Sequence, residues 1–178
     1  MARISQRRIQ HFLLLSDIAQ TTAEKGRALE DLICYMFEKI PGINVTSRNI
    51  LNQFQSEEID VAFWNERHPN GLYFLPDIIL VECKNWSHPL SSEEVSWFVG
   101  KLQRRGQSFG ILVAANGITG NATAKTAAHD IISGALADGR RIVVITRQEI
   151  ESVNITAQIV NLIKKKLCDL AVAGTLLD

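Results

Sequence analysis

The stretch "DIILVECKN", residues 77–85, is an apolar run that ends in two charges. In an extended chain Ile78, Leu80, Glu82 and Lys84 fall on one side, and Ile79, Val81 and Cys83 on the other. Both sides are apolar until the charges begin. The segment therefore reads as a central strand sandwiched between helices, with Glu82 and Lys84 side by side where it emerges. Lys and Glu are almost never fully buried unless they are paired or bind something, so the charged tip needs a physical reason.

Upstream, "EEIDVAFWN" (57–65) puts Ile59, Val61 and Phe63 on one face and Asp60 toward the other. If the two segments pair as a hairpin, with residues 66–76 as the turn region, Asp60 and Glu82 converge. Two adjacent carboxylates repel unless a proton or a cation lies between them. A hard divalent cation such as Mg²⁺, with Mn²⁺ as its substitute, suits carboxylate oxygens and keeps several waters. A lysine beside it can position the attacking water and offset charge on a phosphorane-like transition state, while the ion polarises the phosphoryl oxygen. That constellation cleaves phosphodiesters. The bland reading of Glu82 and Lys84 is an exposed ion pair at a strand end, worth about 0.2–1 kcal/mol.

The rest of the chain supplies a frame for this strand. Helices are predicted over residues 3–20 and 22–40, the second stopped by "PG" at 41–42. "INVTSRNI" (43–50) joins 57–65 and 77–85 as three β-branched strands in a meander. A helix over 92–105 begins at the capping pattern "SSEE", and "FGILVAAN" (109–116) follows as an apolar strand. An alanine-rich helix over 120–138, a strand over 141–146 and a closing helix from 147 to about 170 complete the order; its apolar pattern weakens near Val153 and Asn154. The expectation is an α/β fold with a central mixed sheet of about five strands flanked by helices.

At 178 residues and 46% hydrophobic content, one domain (1–178) with a real core is expected. Nineteen basic and nineteen acidic residues cancel, which excludes a strongly basic nucleic-acid binder and leaves any phosphate-binding surface local. Cys34, Cys83 and Cys168 show neither CxxC spacing nor a disulfide framework, and a reducing cytoplasm is the expected location. Arg3, Arg7 and Arg8 precede only a short apolar stretch, so neither a signal peptide nor a membrane span is expected.

"EEIDVAFWN", then "ILVECKNW", a helix and "FGILVAANGITGNATAKTAAHDII" together resemble the catalytic domain of Mrr-type restriction endonucleases, within the PD-(D/E)xK restriction-endonuclease-like superfamily. The resemblance covers about residues 24–150. It implies a three-layer fold of core order αβββαβ, here with an extra N-terminal helix (1–21) and a C-terminal helical extension (147–178). It also implies that Asp60 and Glu82 bind the metal, that Lys84 is catalytic, and that Glu30 of the first core helix assists. DNA as substrate, and a role in defence against foreign DNA with repair or recombination behind it, follow from the same resemblance. One departure stands out: "EEID" replaces the literal Pro-Asp, and the actual Pro76-Asp77 lies at the foot of the strand, about 15–20 Å from Lys84 at ~3.3 Å per residue. Asp77 is therefore read as a decoy.

Other residues are weighed against structural roles. Asn85 and Gln103 are candidates for substrate contact, whereas Lys101, Arg104 and Arg105 suit a helix C-terminus for purely structural reasons. "NGITGNATAKT" lacks the GK[ST] of a phosphate loop and reads as a helix-capping turn. His11, His68, His88 and His129 read as surface or turn residues, and "KKK" (164–166) with the N-terminal arginines as solvated faces. The leading expectation is an Mg²⁺-dependent endodeoxyribonuclease with weak intrinsic affinity for DNA, which leaves room for a homodimer, a partner subunit or an activating signal. Two alternatives stand beside it: a non-catalytic module binding nucleic acid or protein on the same fold, and a nucleotide-binding protein using the loop at 116–122.

Overall fold

Alternation of apolar and polar side chains between short turns gives the meander its strands, β1 (Ile43–Leu51), β2 (Glu58–Asn65) and β3 (Ile78–Lys84). In the computed structural model, residues 2–51, 57–121 and 126–176 are described. Two further strands, β4 (Phe109–Ala114) and β5 (Arg141–Ile145), extend the sheet in the order β1-β2-β3-β4-β5. The meander is antiparallel, and β3, β4 and β5 run parallel, so the sheet is mixed as expected. The register sets Glu82 beside Leu112 and Lys84 beside Ala114. The charged end of β3 thus lies at the carboxyl edge shared by the parallel strands.

Helices α1 (Gln6–Ile18) and α2 (Thr22–Phe37) precede the sheet. A capping box between Thr21 and Glu24 starts α2, and its apolar stripe packs on the sheet with Phe37 stacked on Phe63 at 5.2 Å between centroids. That contact assigns Ile59, Val61 and Phe63 to the α2 face. The opposite face receives α3 (Ser92–Arg104), started by a Ser91–Glu94 capping box. Gly110 makes this approach possible, because a Cβ there would lie 2.7 Å from Phe98 and 2.8 Å from Leu102. Gly110 pairs with Leu80, so α3 lies over the face that carries Glu82 and Lys84.

The last third departs from the sequence reading. The alanine-rich helix, α4 (Ala128–Ala137), starts later than residue 120, and residues 122–125 lie outside the described residues. The described part of the preceding loop bridges to Leu90 (Leu90 N to Gly117 O 2.9 Å, Thr119 N to Leu90 O 2.8 Å). Ala127 at the N-cap makes no side-chain cap. The closing helix is two helices, α5 (Arg147–Ser152) and α6 (Thr156–Ala173). The break has a tertiary cause: the N-terminal segment docks there, with Ile4 N donating to Asn154 O at 2.8 Å and Thr156 N to Ala2 O at 3.0 Å. An intrahelical ladder through these residues would compete with those bonds.

Two residues expected at the surface are buried. His129 sits on α4 with Nδ1 3.2 Å from Thr175 Oγ1, and Lys166 on α6 holds Glu149 at 2.7 Å. Burial is tolerated because each has found a partner. Among the described residues, no helix is long and apolar enough to cross a membrane.

Candidate active site

The paired stretch of β2 and β3 runs from Trp64–Ile78 to Val61–Val81. One residue further on, a side chain takes over from the backbone: Asp60 Oδ2 accepts the N–H of Cys83 at 2.7 Å. Asp60 and Glu82 are both buried, on neighbouring strands at the carboxyl edge. Burial, and then the negative charge of Glu82, push the Asp60 carboxyl up to about 6, although the Cys83 N–H and the Lys84 ammonium pull the other way. The two carboxylates are near enough for the charge of Glu82 to act on Asp60.

Lys84 reaches back along its own strand, its Nζ 2.8 Å from Glu82 Oε1. Burial disfavours its ammonium, but Glu82 and then Asp60 outweigh that penalty and hold the pKa above the ordinary lysine value. Lys84 is therefore a fixed positive charge at neutral pH. Glu82 itself lies behind Lys84 and is gripped from the other side by Lys101 of α3, whose Nζ is 2.7 Å from both carboxylate oxygens.

Glu30 comes in from the buried side of α2 and accepts from Asn49 Nδ2 at 3.0 Å and from Arg48 at 3.4 Å. Asn49 has φ 51°, a left-handed conformation that Asn adopts more readily than most residues. Glu30, Asp60, Lys84, Asn85 and Trp86 line one cleft of about 590 Å³, with Lys25 and Arg27 of α2 on its rim. Cys83 is also in the wall, but burial pushes its thiol well above the ordinary cysteine value, so it offers no thiolate.

Four of the six expected residues, Glu30, Asp60, Lys84 and Asn85, line this cleft, and Glu82 supports it from behind. The Asn85 side-chain amide is already engaged: it donates to the buried Ser16 Oγ of α1, which donates to Lys25 O at 2.7 Å. Gln103 is exposed, and the α3 residue that reaches the site is Lys101. Two residues along an α-helix turn the side chain by about 200°, so Lys101 and Gln103 point apart. A sequence signal for Lys101 exists: it follows the buried Phe98 by three residues and precedes the buried Leu102, at the margin of the apolar stripe. Asp77 pairs with Arg67 at 2.6 Å, at the opposite end of β3 from Lys84.

Among the described residues, no three His, Cys, Asp or Glu side chains gather as a preformed metal cluster. Asp60 and Glu82 nonetheless fit a hard divalent ion. Their donors are carboxylate oxygens, and Asp60, raised by burial and then by the charge of Glu82, is a group whose ionised form a cation would stabilise. Mg²⁺ needs only one or two carboxylates when waters and a substrate phosphate complete its shell.

Comparison with known families is in keeping with this fold. The model of the restriction endonuclease family, Mrr catalytic domain, matches residues 22–152, from the start of α2 to the end of α5. Among curated proteins no relative matches. The chain belongs to the Mrr-type restriction endonuclease family.

Proposed function

We propose that this restriction endonuclease family member hydrolyses phosphodiester bonds in DNA with a divalent metal ion. The observation that carries the reading is the meeting of Asp60 and Glu82 at one sheet edge, beside a charged Lys84 and an open cleft. Asp60 and Glu82 would hold the ion. When bound, it supplies Lewis-acid polarisation of the phosphoryl oxygen and lowers the pKa of water. Lys84 orients the attacking water and stabilises charge that develops on the phosphoryl oxygens. Glu30, fixed by Asn49 and Arg48, accepts hydrogen bonds from water on the α2 side of the cleft. Lys25 and Arg27 face the strand's phosphates from the rim, and so small a basic surface accords with weak intrinsic affinity.

A second reading has its own observation. Glu82 already carries two ammonium partners, so the pair Asp60 and Glu82 is balanced by Lys84 and Lys101 without any ion. A non-catalytic nucleic-acid-binding module would keep that arrangement.

Cleavage of supercoiled plasmid separates the two. Nicking or linearisation with Mg²⁺ or Mn²⁺, lost with chelator and in Lys84→Ala, is the expected result. Folded wild-type protein that binds DNA but never cuts it, in either metal, favours the binding module.

A further inference from the structure

We propose that Lys101 is a positioning residue that occupies the cation's place on Glu82 and so sets the divalent-ion concentration at which the site loads. The inference rests on the metal-dependent reading above and adds to it a residue outside the Asp60, Glu82 and Lys84 set.

The geometry is specific. Lys101 Nζ lies 2.7 Å from Oε1 and 2.7 Å from Oε2, astride the carboxylate, and Lys84 Nζ lies 2.8 Å from Oε1. The Lys101 side chain is 13% exposed and Glu82 5%, so water screens the contact little. Phe98 and Leu102, buried on either side of Lys101 along α3, hold its backbone against β4. The ammonium is thus delivered by a packed helix and does not wander as a surface lysine would.

The charges decide the consequence. Asp60 and Glu82 supply two negative charges, and Lys84 and Lys101 two positive ones, so the quartet is neutral before any ion enters. A divalent ion at Glu82 must take an oxygen from Lys101 and meet the repulsion of both ammonium groups. Removing the charge of Lys101 leaves Asp60 and Glu82 in excess by one, which favours a cation. A substrate phosphate supplies the same negative excess in the native protein, so the ion binds more tightly once substrate is in place. Lys101 also keeps Glu82 oriented, and its loss slows turnover even as the ion binds more tightly.

The experiment titrates the full chain with Mn²⁺ in the absence of DNA, following free Mn²⁺ by electron paramagnetic resonance, alongside the Mn²⁺ concentration for half-maximal plasmid cleavage. Lys101→Met is expected to bind Mn²⁺ roughly tenfold more tightly than wild type, with half-maximal activation shifted the same way and kcat reduced. Lys101→Gln, which loses the charge but keeps a hydrogen-bond donor on a slightly shorter side chain, should show the same tightening and provides the test if the Met variant fails to fold. Lys101→Arg should remain near wild type. Unchanged or weaker Mn²⁺ binding in both folded neutral variants, with wild type still binding, overturns the role of Lys101 and leaves the nuclease reading intact. If neither wild type nor any variant takes up Mn²⁺, and Glu82→Gln behaves identically, the metal-dependent reading falls and this inference with it.

Discussion

Two cavities of similar size sit along the carboxyl edge of the sheet, and they handle charge differently. The one beyond β4 and β5, about 670 Å³, is lined by Arg147, Glu149, Glu151, Lys166 and His129. There partners are matched: Arg147 holds Asp17 at 2.6 and 2.8 Å and Glu151 at 3.0 Å, Lys166 holds Glu149 at 2.7 Å, and His129 meets Thr175. The cleft beside β2 and β3 is lined by the buried carboxylates Glu30 and Asp60, with Glu82 and its two lysines behind them, and Asp60 is raised to about 6 by burial and then by Glu82. Volume does not distinguish the two. The raised Asp60 carboxyl does, and a carboxyl perturbed by burial and a neighbouring charge in a cleft is the kind of group that chemistry uses.

The sharpest way to break this comparison is to remove one lysine from each cavity. Lys84→Ala should lower the plasmid cleavage rate by roughly 10²–10³-fold, as loss of a transition-state charge partner does. Lys166→Met should leave that rate near wild type. Equal loss of activity in both would show that the matched cavity also serves catalysis.

Next in size is a stability effect with a defined pH dependence. The folded Asp60 pKa lies above the ordinary value of 3.8, so its contribution is fully present below that value and is lost as pH rises through about 6. Metal-free Asp60→Asn should therefore be more stable than wild type at pH 7.5, by at most about 3 kcal/mol, with the gain vanishing near pH 4. Thermal melts at the two pH values check this. An Asn variant that is less stable at pH 7.5 would mean that the Asp60 charge is well accommodated.

The matched cavity should behave in the reverse sense. Lys166→Met strands the partly buried Glu149, and a loss of about 1–2 kcal/mol is expected by chemical denaturation, less than for a fully buried pair because Glu149 keeps some water. The smallest effect belongs to the literal Pro-Asp dipeptide. Asp77→Asn removes an exposed pair with Arg67 and should change stability by less than about 1 kcal/mol and cleavage not measurably. A large loss of cleavage there would place a metal ligand at the wrong end of β3.

Much of this was legible before any coordinates. Period-two alternation identified β2 and β3 and aimed Asp60 and Glu82 to one side. A capping pattern located the start of α3, apolar spacing that of α2, and the weakened pattern at Val153 and Asn154 lay where the closing helix breaks. These are signals between residues a few positions apart, and local geometry obeys them.

Which element crosses which strand end is set by packing between segments far apart in sequence, and there the reading diverged. Gln103 and Lys101 are both polar residues near the end of one helix, and only the crossing of α3 over β4, allowed by Gly110, selects Lys101 for Glu82. The burial of His129 and Lys166 depends on Thr175 and Glu149, far away in the chain, and the helix break on Ile4 and Ala2. The sequence by itself determined the elements, the faces they bury and the strand tip where charge collects. The tertiary structure alone decided which partner answers each of those charges, because partner choice is a matter of long-range contact that no local period encodes.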